Sequence, residues 1–184
     1  MSQLKVFRDD APSRPEFESR VHSEIASRLD RAGVGFERWQ AALEISPGDS
    51  ESAILAAYRP DIDRLKQAHG YQAVDVVSMW PDHPDRAAAR AKFLDEHTHA
   101  EDEVRFFVNG RGLFSLHIGA RVFEVLCERG DLIGVPARTP HWFDMGRAPE
   151  FTAIRLFNNP EGWVATFTGS DIAAGFNRLD PAPT

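Results

Sequence analysis

Apolar residues follow two different periods along the chain, and the change between them falls near residue 95. In the first part they recur every four residues, as at Phe17, Val21, Ile25 and Leu29, which is typical of an amphipathic helix. Patterns of this kind predict helices over 15–31, 50–58, 61–69 and 84–94. Shorter alternating or apolar runs between them predict strands over 4–7, 34–39 and 73–80. The first part of the chain is therefore expected to be rich in helices.

Beyond Glu103, short runs of β-branched and aromatic residues alternate with turn residues. These runs predict strands over 105–108, 113–118, 122–127, 132–135, 142–144, 151–156 and 163–167. The dipeptide Asn109-Gly110 is a strong signal for a β-hairpin between the first two. Strands at such close spacing indicate a sandwich or barrel, with helices from residues 1–95 along its outside. We therefore expect a mainly β fold with added helices, whose barrel core spans about residues 71–168.

Length and composition indicate a globular protein of one domain. The chain has 184 residues, of which 42% are hydrophobic, and this is long enough to bury a sizeable core. Its formal net charge is −7, which argues against a nucleic acid or an anionic membrane as partner, since both attract clustered positive charge. We expect one domain over residues 1–179 and a disordered tail over 180–184, where two prolines occur.

Cysteine content and the N-terminal sequence bear on where the protein resides. Cys127 is the single cysteine, so it cannot form an internal disulfide, and a reducing compartment is the simplest expectation. The N-terminal stretch lacks the apolar core of a signal peptide, and no apolar run is long enough to span a bilayer. These observations predict a cytoplasmic protein.

The stretch from Glu96 to Arg105 carries the clearest candidate chemistry. His97, His99 and Glu103 form an H-x-H-x-x-x-E array, and His141 follows later in the chain. Imidazole and carboxylate are ligand types that suit Fe, Ni, Mn, Zn or Cu. Side chains alternate along a strand, so one strand face could present His97, His99, Glu103 and Arg105, which are all at odd positions. The sequence therefore predicts a metal site inside the β structure.

The same residues belong to a two-part pattern that resembles the cupin superfamily. The first part is His-x-His, three residues, Glu, six residues and Gly, which ends here at Gly110. The second part is Gly, five residues and Pro-x-Gly-x-x-His, and Gly130, Pro136 and His141 match it. Arg138 stands at the position of its last glycine, so we expect a different turn there, with the histidine unaffected. The resemblance implies a cupin-type β-barrel, a double-stranded β-helix or jelly roll.

Longer strings narrow the resemblance to one family. The segments FLDEHTHAEDEVRFFVNGRGLFSLHI, GDLIGVPARTPHWFDMG and RLFNNPEGWVA are similar to the acireductone dioxygenases, metal-dependent enzymes of the methionine salvage pathway. The likeness also includes FERWQA and the YRPDIDRLK region, so it covers nearly the whole chain. It implies a small-molecule substrate, O2 as second substrate, and a monomer, which the acidic and polar composition permits.

The family resemblance implies a role for each residue of the array. His97, His99, Glu103 and His141 would hold one Fe(II) or Ni(II), without an organic cofactor. Four protein ligands on an octahedral ion leave two positions for a chelating enediol, and zinc fits this chemistry poorly because it has no redox activity. Arg105 would stabilise the substrate dianion. The alternative for Arg105 is a structural ion pair with a carboxylate.

In this family the bound metal decides the product. Fe(II) gives 4-methylthio-2-oxobutanoate and formate, whereas Ni(II) gives 3-methylthiopropanoate, formate and carbon monoxide. Both reactions consume 1,2-dihydroxy-3-keto-5-methylthiopentene and O2. The sequence does not indicate which metal is present.

Other residues near the array are candidates for supporting roles. Phe93, Phe143 and Trp163 are expected to form an apolar wall for the thioether tail of the substrate, and the alternative is ordinary core packing. By parity, Glu96 and Asp102 point away from the ligands. The resemblance suggests that they assist metal loading or ligand orientation, and the alternative is a pair of solvated acids.

Two other function classes remain open from the residues. A metal-dependent cupin could be a sugar-phosphate isomerase or could oxidise another enediol, but phosphate recognition requires several Arg or Lys residues in the pocket, and Arg105 is the obvious one here. A non-catalytic cupin that binds a ligand or acts as a metal-responsive scaffold is the third hypothesis.

Overall fold

Two antiparallel β-sheets that share one long strand form the centre of the fold. The computed structural model describes residues 1–46, 48–159 and 164–179. Its strands are β1 (Gln3–Arg8), β2 (Phe17–Ser19), β3 (Gly35–Arg38), β4 (Ala73–Met79), β5 (His97–Thr98), β6 (Glu103–Ile118), β7 (Arg121–Glu128), β8 (Asp131–Val135), β9 (His141–Asp144), β10 (Phe151–Phe157) and β11 (Thr166–Phe167). Its helices are α1 (His22–Asp30), α2 (Glu51–Ala57), α3 (Arg59–His69) and α4 (Arg86–Phe93), with a short 3₁₀ turn at Ile172–Gly175.

The first sheet has the strand order β11-β5-β9-β6-β7-β1-β2, and the second has the order β4-β10-β6-β8-β3. Strand β6 belongs to both sheets. Its first part pairs with β8 and β10, and its second part pairs with β7 and β9. The mainly β fold expected from the strand spacing is confirmed.

A bulge in the middle of β6 stands where the sequence predicted a hairpin. The pairing of β6 with β10 shifts by one residue between Thr152 and Ala153, which leaves Val108 as the extra residue. Gly110 has φ +65°, and a Cβ atom on it would lie 1.7 Å from the carbonyl oxygen of Glu150. Asn109-Gly110 therefore marks a bend within one strand, and the hairpin prediction is wrong.

The bulge changes which residues of β6 face the interior. Before it, the buried odd positions Glu103, Arg105 and Phe107 face inward. After it, the even positions Phe114 and Leu116 lie in the same interior cluster. An extra residue in a strand with a two-residue repeat exchanges its faces, so the alternation read from the sequence holds only up to Phe107.

The main hydrophobic core lies between the two sheets. It receives buried side chains from both, among them Val6, Phe123 and Ile133, and Cys127 packs there as a buried residue. Burial raises the pKa of the Cys127 thiol well above its ordinary value, which keeps it protonated and consistent with a packing role. Helix α1 adds Ile25 to this core.

Helices α2 and α3 cover the outer face of the second sheet, as expected for helices outside the barrel. Their buried residues Ile54, Ile62 and Leu65 pack against the even positions of β6, including Val104 and Phe106. Burial of such side chains contributes about 25 cal/mol per Å² of apolar surface, which holds the helices on the sheet. None of the helices in the described part of the chain is long and apolar enough to cross a membrane.

Two predicted helices have different boundaries in the structure. The predicted helix over 15–31 begins only at His22, because Phe17 is in β2 and pairs with Val6 of β1. The amide of Glu16 also donates to the carbonyl of Val6 at 2.7 Å, so backbone pairing with β1 overrides the four-residue stripe. Helix α3 begins at Arg59, so Pro60 lies in its first turn, where a missing N–H costs nothing. The predicted tail over 180–184 lies outside the described residues.

Candidate metal centre

Three buried histidines meet at one end of the first sheet. His97 in β5 lies directly opposite His141 in β9, and His99 is the first residue after β5. Their ring centroids are 4.6 Å apart for His97 and His141, 5.1 Å for His97 and His99, and 5.2 Å for His99 and His141. One potential ligand atom from each lies within 4.8 Å of the others. This spacing suits three imidazoles that share one ion.

Glu103 completes the cluster from the second sheet. Its Oε2 atom lies 2.9 Å from Nε2 of His141 and 3.5 Å from Nε2 of His99. The four residues do not share one strand face, because β5 ends at Thr98 and residues 99–102 connect it to β6. The prediction of a single strand is therefore wrong, although its four residues do come together. Pairing of β5 in one sheet and β6 in the other brings them together.

Backbone carbonyls fix the orientation of the three imidazole rings. Nδ1 of His97 lies 2.8 Å from the carbonyl of Asp95, and Nδ1 of His141 lies 2.7 Å from that of Thr139. Nδ1 of His99 faces the carbonyl of Val164 at 3.4 Å. A carbonyl oxygen only accepts hydrogen bonds, so Nδ1 carries the ring proton and Nε2 presents a lone pair.

The donor set therefore fits a metal cation. Nε2 of His141 is a lone-pair donor in this tautomer, and the carboxylate of Glu103 has no proton to offer it across their 2.9 Å contact. Two such acceptors at this distance repel each other unless a positive charge lies between them. A divalent ion supplies that charge, and imidazole with carboxylate is a common ligand set for Fe and Ni.

Burial sets the protonation state of the cluster. Burial, with the neighbouring His141, lowers the pKa of His97 to about 4, and burial also lowers the pKa of His99. Burial alone would raise the pKa of Glu103, but the positive charge of Arg105 outweighs it and holds that pKa below its ordinary value. His97 and His99 are therefore neutral and Glu103 ionised at neutral pH, the forms that bind a divalent ion.

Arg105 lies beside the cluster within a group of aromatic rings. Its Nε atom is 2.5 Å from Oε1 of Glu103. Its Cζ atom lies 4.8 Å from the ring centroid of Phe143, 5.2 Å from that of Phe114 and 5.9 Å from that of Phe93. Such cation–π contacts hold a buried guanidinium in place. The sequence left open a structural ion pair between Arg105 and a carboxylate, and Arg105 does form such a pair. Its partner is Glu103, so the pair lies at the candidate metal centre.

Two of the three residues predicted to form an apolar wall lie near the cluster. Phe93 lies at the end of α4, with its ring centroid 6.3 Å from that of His97. Phe143 packs in the main core, which was its alternative, and its ring also faces Arg105; its role in a substrate pocket stays a prediction. Trp163 lies outside the described residues. Sequence reasoning missed Phe114, because it becomes an inward residue only after the bulge in β6.

Glu96 and Asp102 have different surroundings. Glu96 is buried, its Oε1 lies 2.7 Å from Nδ1 of His117, and its Oε2 accepts a hydrogen bond from Thr168 at 2.6 Å. The alternative of a solvated acid is therefore wrong for Glu96. Asp102 is exposed and accepts a hydrogen bond from the amide of Ala137 at 2.8 Å. This bond ties the loop before Glu103 to the turn after β8.

Arg138 adopts the left-handed conformation that a glycine would favour. Its φ is +64°, and its amide donates to the carbonyl of His99 at 2.8 Å. The expectation of a different turn is therefore wrong. A non-glycine residue in this region costs about 1–2 kcal/mol, and the bond to His99 helps to hold it there.

A cluster of three imidazoles and a carboxylate between the sheets of a mainly β fold defines a cupin with a metal-ion site. The chain belongs to the ARD/ARD' family, because the model of that family matches residues 3–165.

Curated relatives and a solved structure agree with this assignment. The chain is 60% identical over 178 residues to an acireductone dioxygenase of Alcanivorax borkumensis. The matched region covers 97% of this chain and 98% of the relative. It is 59% identical over 181 residues to an acireductone dioxygenase of Pseudomonas aeruginosa, with 98% and 99% covered. The structure of an acireductone dioxygenase from Bacillus anthracis with a cadmium ion in its active center matches with a TM-score of 0.79 at 29% identity, covering 91% of this chain and 98% of that one. The cupin-type fold expected from the sequence is confirmed.

Proposed function

We propose that this protein is an acireductone dioxygenase of methionine salvage, which cleaves 1,2-dihydroxy-3-keto-5-methylthiopentene with O2. The buried cluster of three imidazoles and Glu103, beside the charge of Arg105, carries this proposal. It is also supported by relatives named acireductone dioxygenase, which are up to 60% identical to this chain over nearly its whole length. The reaction needs an ion that changes its ligands readily and a positive charge next to the enediol, and this arrangement offers a place for both.

The ion in this proposal is one Fe(II) or Ni(II) per chain, held by Nε2 of His97, His99 and His141 and by the carboxylate of Glu103. When bound, it supplies a Lewis acid for the enediol oxygens and redox chemistry with O2. Nδ1–H bonds to the carbonyls of Asp95 and Thr139 hold two of the rings in the required tautomer.

The identity of the metal determines the products in this proposal. With Fe(II) the substrate and O2 yield 4-methylthio-2-oxobutanoate and formate. With Ni(II) they yield 3-methylthiopropanoate, formate and carbon monoxide. Both sets of products contain all six carbons of the substrate and all five oxygen atoms of the substrate and O2, so no further oxidant or reductant is required.

Arg105 stabilises the negative charge of the deprotonated substrate. Its guanidinium is buried, and in such surroundings a fixed charge acts more strongly than it does in water. The ion pair with Glu103 and the rings of Phe93, Phe114 and Phe143 keep it in one orientation, so it does not need to reorganise during the reaction.

Aromatic residues exclude water and hold the apolar end of the substrate. Phe93 and Phe143 fill this role beside Arg105, and Trp163 is a further candidate from the sequence. Glu96 orients β5 through its bonds to His117 and Thr168, and it thereby assists the positioning of His97.

An anaerobic reconstitution experiment tests the proposed function. Metal-free protein is loaded with Fe(II) or Ni(II), mixed with the acireductone without oxygen, and then exposed to O2. We expect the enediol absorbance to disappear faster than in the protein-free control, with products that differ between the metals. The His97→Ala variant should lose both metal and turnover. Unchanged absorbance with either metal would contradict the proposal, and consumption of a sugar phosphate instead would favour an isomerase.

We also infer a cytoplasmic, monomeric enzyme. The buried, unpaired thiol of Cys127 suits a reducing compartment, and a net charge of −7 disfavours self-association. Light scattering on the purified protein measures the mass directly, and the value for one chain is 20.6 kDa.

A further inference from the structure

Four directly paired residues form a row across the first sheet at the level of the metal centre. Leu116 in β6 pairs with His141 in β9, His141 pairs with His97 in β5, and His97 pairs with Phe167 in β11. Residues directly opposite each other in antiparallel strands have side chains on the same face of the sheet. Phe167 therefore lies on the interior face, in line with two of the candidate ligands.

Exposure changes sharply along this row. Leu116, His141 and His97 are 0%, 2% and 1% exposed, whereas Phe167 is 53% exposed. Phe167 is on β11, the outermost strand of the sheet, and its ring centroid lies 5.9 Å from that of His97. A large, half-exposed apolar ring thus stands on the edge strand of the sheet, next to the buried histidine cluster.

The segment that carries Phe167 is fastened to the residues around the cluster. Before it, the carbonyl of Val164 lies 3.4 Å from Nδ1 of His99. After it, the amide of Thr168 donates to the carbonyl of Glu96 at 3.1 Å, and the hydroxyl of Thr168 donates to the carboxylate of Glu96 at 2.6 Å. These contacts tie the backbone on both sides of Phe167 to His99, a candidate ligand, and to Glu96, which precedes His97.

We propose that Phe167 is a specificity-determining residue whose ring packs against the apolar tail of the substrate at the mouth of the site. This inference rests on the proposed function. The enediol end is charged and belongs at the buried cations, so the alkylthio end of the same molecule extends outward from the cluster. A phenyl ring offers apolar area and a favourable contact for a thioether sulfur, and it offers no hydrogen-bonding group to a polar tail.

The test compares two acireductones that differ only in the tail. One has the methylthioethyl group, and the other has a methyl group in its place. For Phe167→Ala we expect kcat/KM to fall about tenfold for the long substrate and to change less than about twofold for the short one. Phe167→Leu keeps apolar area, so it should recover most of the loss on the long substrate.

Two controls accompany these variants. Metal content should equal that of the wild-type protein, because Phe167 donates no ligand atom. Val21→Ala removes another half-exposed apolar side chain, 54% exposed at the start of α1, and should leave both rates unchanged. An equal loss of kcat/KM on both substrates, or no loss on either, would overturn the role of Phe167 and leave the proposed function standing. A wild-type protein that consumes neither substrate would overturn both the proposed function and the role of Phe167.

Discussion

The Nε atom of Arg105 lies 2.5 Å from Oε1 of Glu103, while Oε2 of the same carboxylate lies 2.9 Å from Nε2 of His141. Glu103 is thus shared between a permanent positive charge and the candidate metal centre, and all three side chains are buried. Charges in such surroundings interact strongly, so under the proposed function we expect the substrate charge, Arg105 and the metal to act as one coupled unit.

Arg105→Gln tests the catalytic side of this unit. We expect kcat to fall about a hundredfold, because one preorganised positive group at the developing charge is lost. Arg105→Lys should recover part of the rate, since it restores charge without the planar guanidinium. Arg121→Gln is the matched control, because Arg121 forms an exposed pair with Glu16 and should matter little. Steady-state kinetics on metal-loaded proteins measures the effect, and equal rates for Arg105→Gln and wild type would refute the role.

Glu103→Gln tests the metal-binding side. The amide keeps the size of the side chain but removes its charge, so we expect metal affinity to fall at least about tenfold. The comparison is His69→Ala, which removes an exposed histidine in α3 and should leave metal content unchanged. Elemental analysis after dialysis against a weak chelator gives the measurement. Full metal occupancy in Glu103→Gln would remove Glu103 from the ligand set.

Gly110→Ala tests the bulge that exchanges the faces of β6. The new Cβ would meet the carbonyl oxygen of Glu150 at 1.7 Å, so we expect a loss of about 3 kcal/mol or more in the free energy of unfolding. Gly119→Ala is a close control, because Gly119 has a similar φ of +62° but has no atom within 4 Å of the added Cβ. It should lose only about 1 kcal/mol from backbone strain. Urea unfolding of both variants decides the matter, and similar losses would show that φ alone accounts for this glycine.

Asp144 is expected to contribute pH-dependent stability. It lies at the end of β9, and Arg90 of α4 binds its two oxygens at 2.7 and 2.9 Å. Burial alone would raise the pKa of Asp144, but the hydrogen bonds from Arg90 and the backbone hold it below its ordinary value of 3.8. The folded pKa is depressed, so this stability is present above about pH 4 and is lost as pH falls through the folded pKa.

Asp144→Asn measures that contribution. We expect a loss of about 2 kcal/mol in the free energy of unfolding at neutral pH, because charged hydrogen bonds are weakened. The difference from wild type should begin to shrink below about pH 4 and should be smallest below the depressed folded pKa, where the wild-type carboxylate is protonated too. Asp10→Asn, which affects an exposed pair with Arg8, should show no measurable change. A difference that stays constant with pH would mean that charge is not the cause.

Much of the fold followed from local patterns. Helix α3 ends at His69, as the predicted range 61–69 has it, and the strands from β7 to β10 lie close to their predicted ranges. Such features depend on near neighbours in the chain. The prediction of a hairpin at Asn109-Gly110 was wrong because a glycine with positive φ can belong either to a hairpin turn or to a β-bulge. Both give the same sequence signal, and only the pairing of β6 with β10 distinguishes them.

The sequence by itself determined the chemical identity of the site: three histidines, a carboxylate and an arginine at fixed spacing. The tertiary structure alone decided how they meet, because His97 and His141 are brought opposite each other by pairing of β5 with β9, and Glu103 arrives from the other sheet. It also decided that Phe114 and Phe167 belong to the surroundings of the cluster. Contacts between distant segments depend on strand register and bulges, and a residue pattern within one segment carries no information about its partner's register.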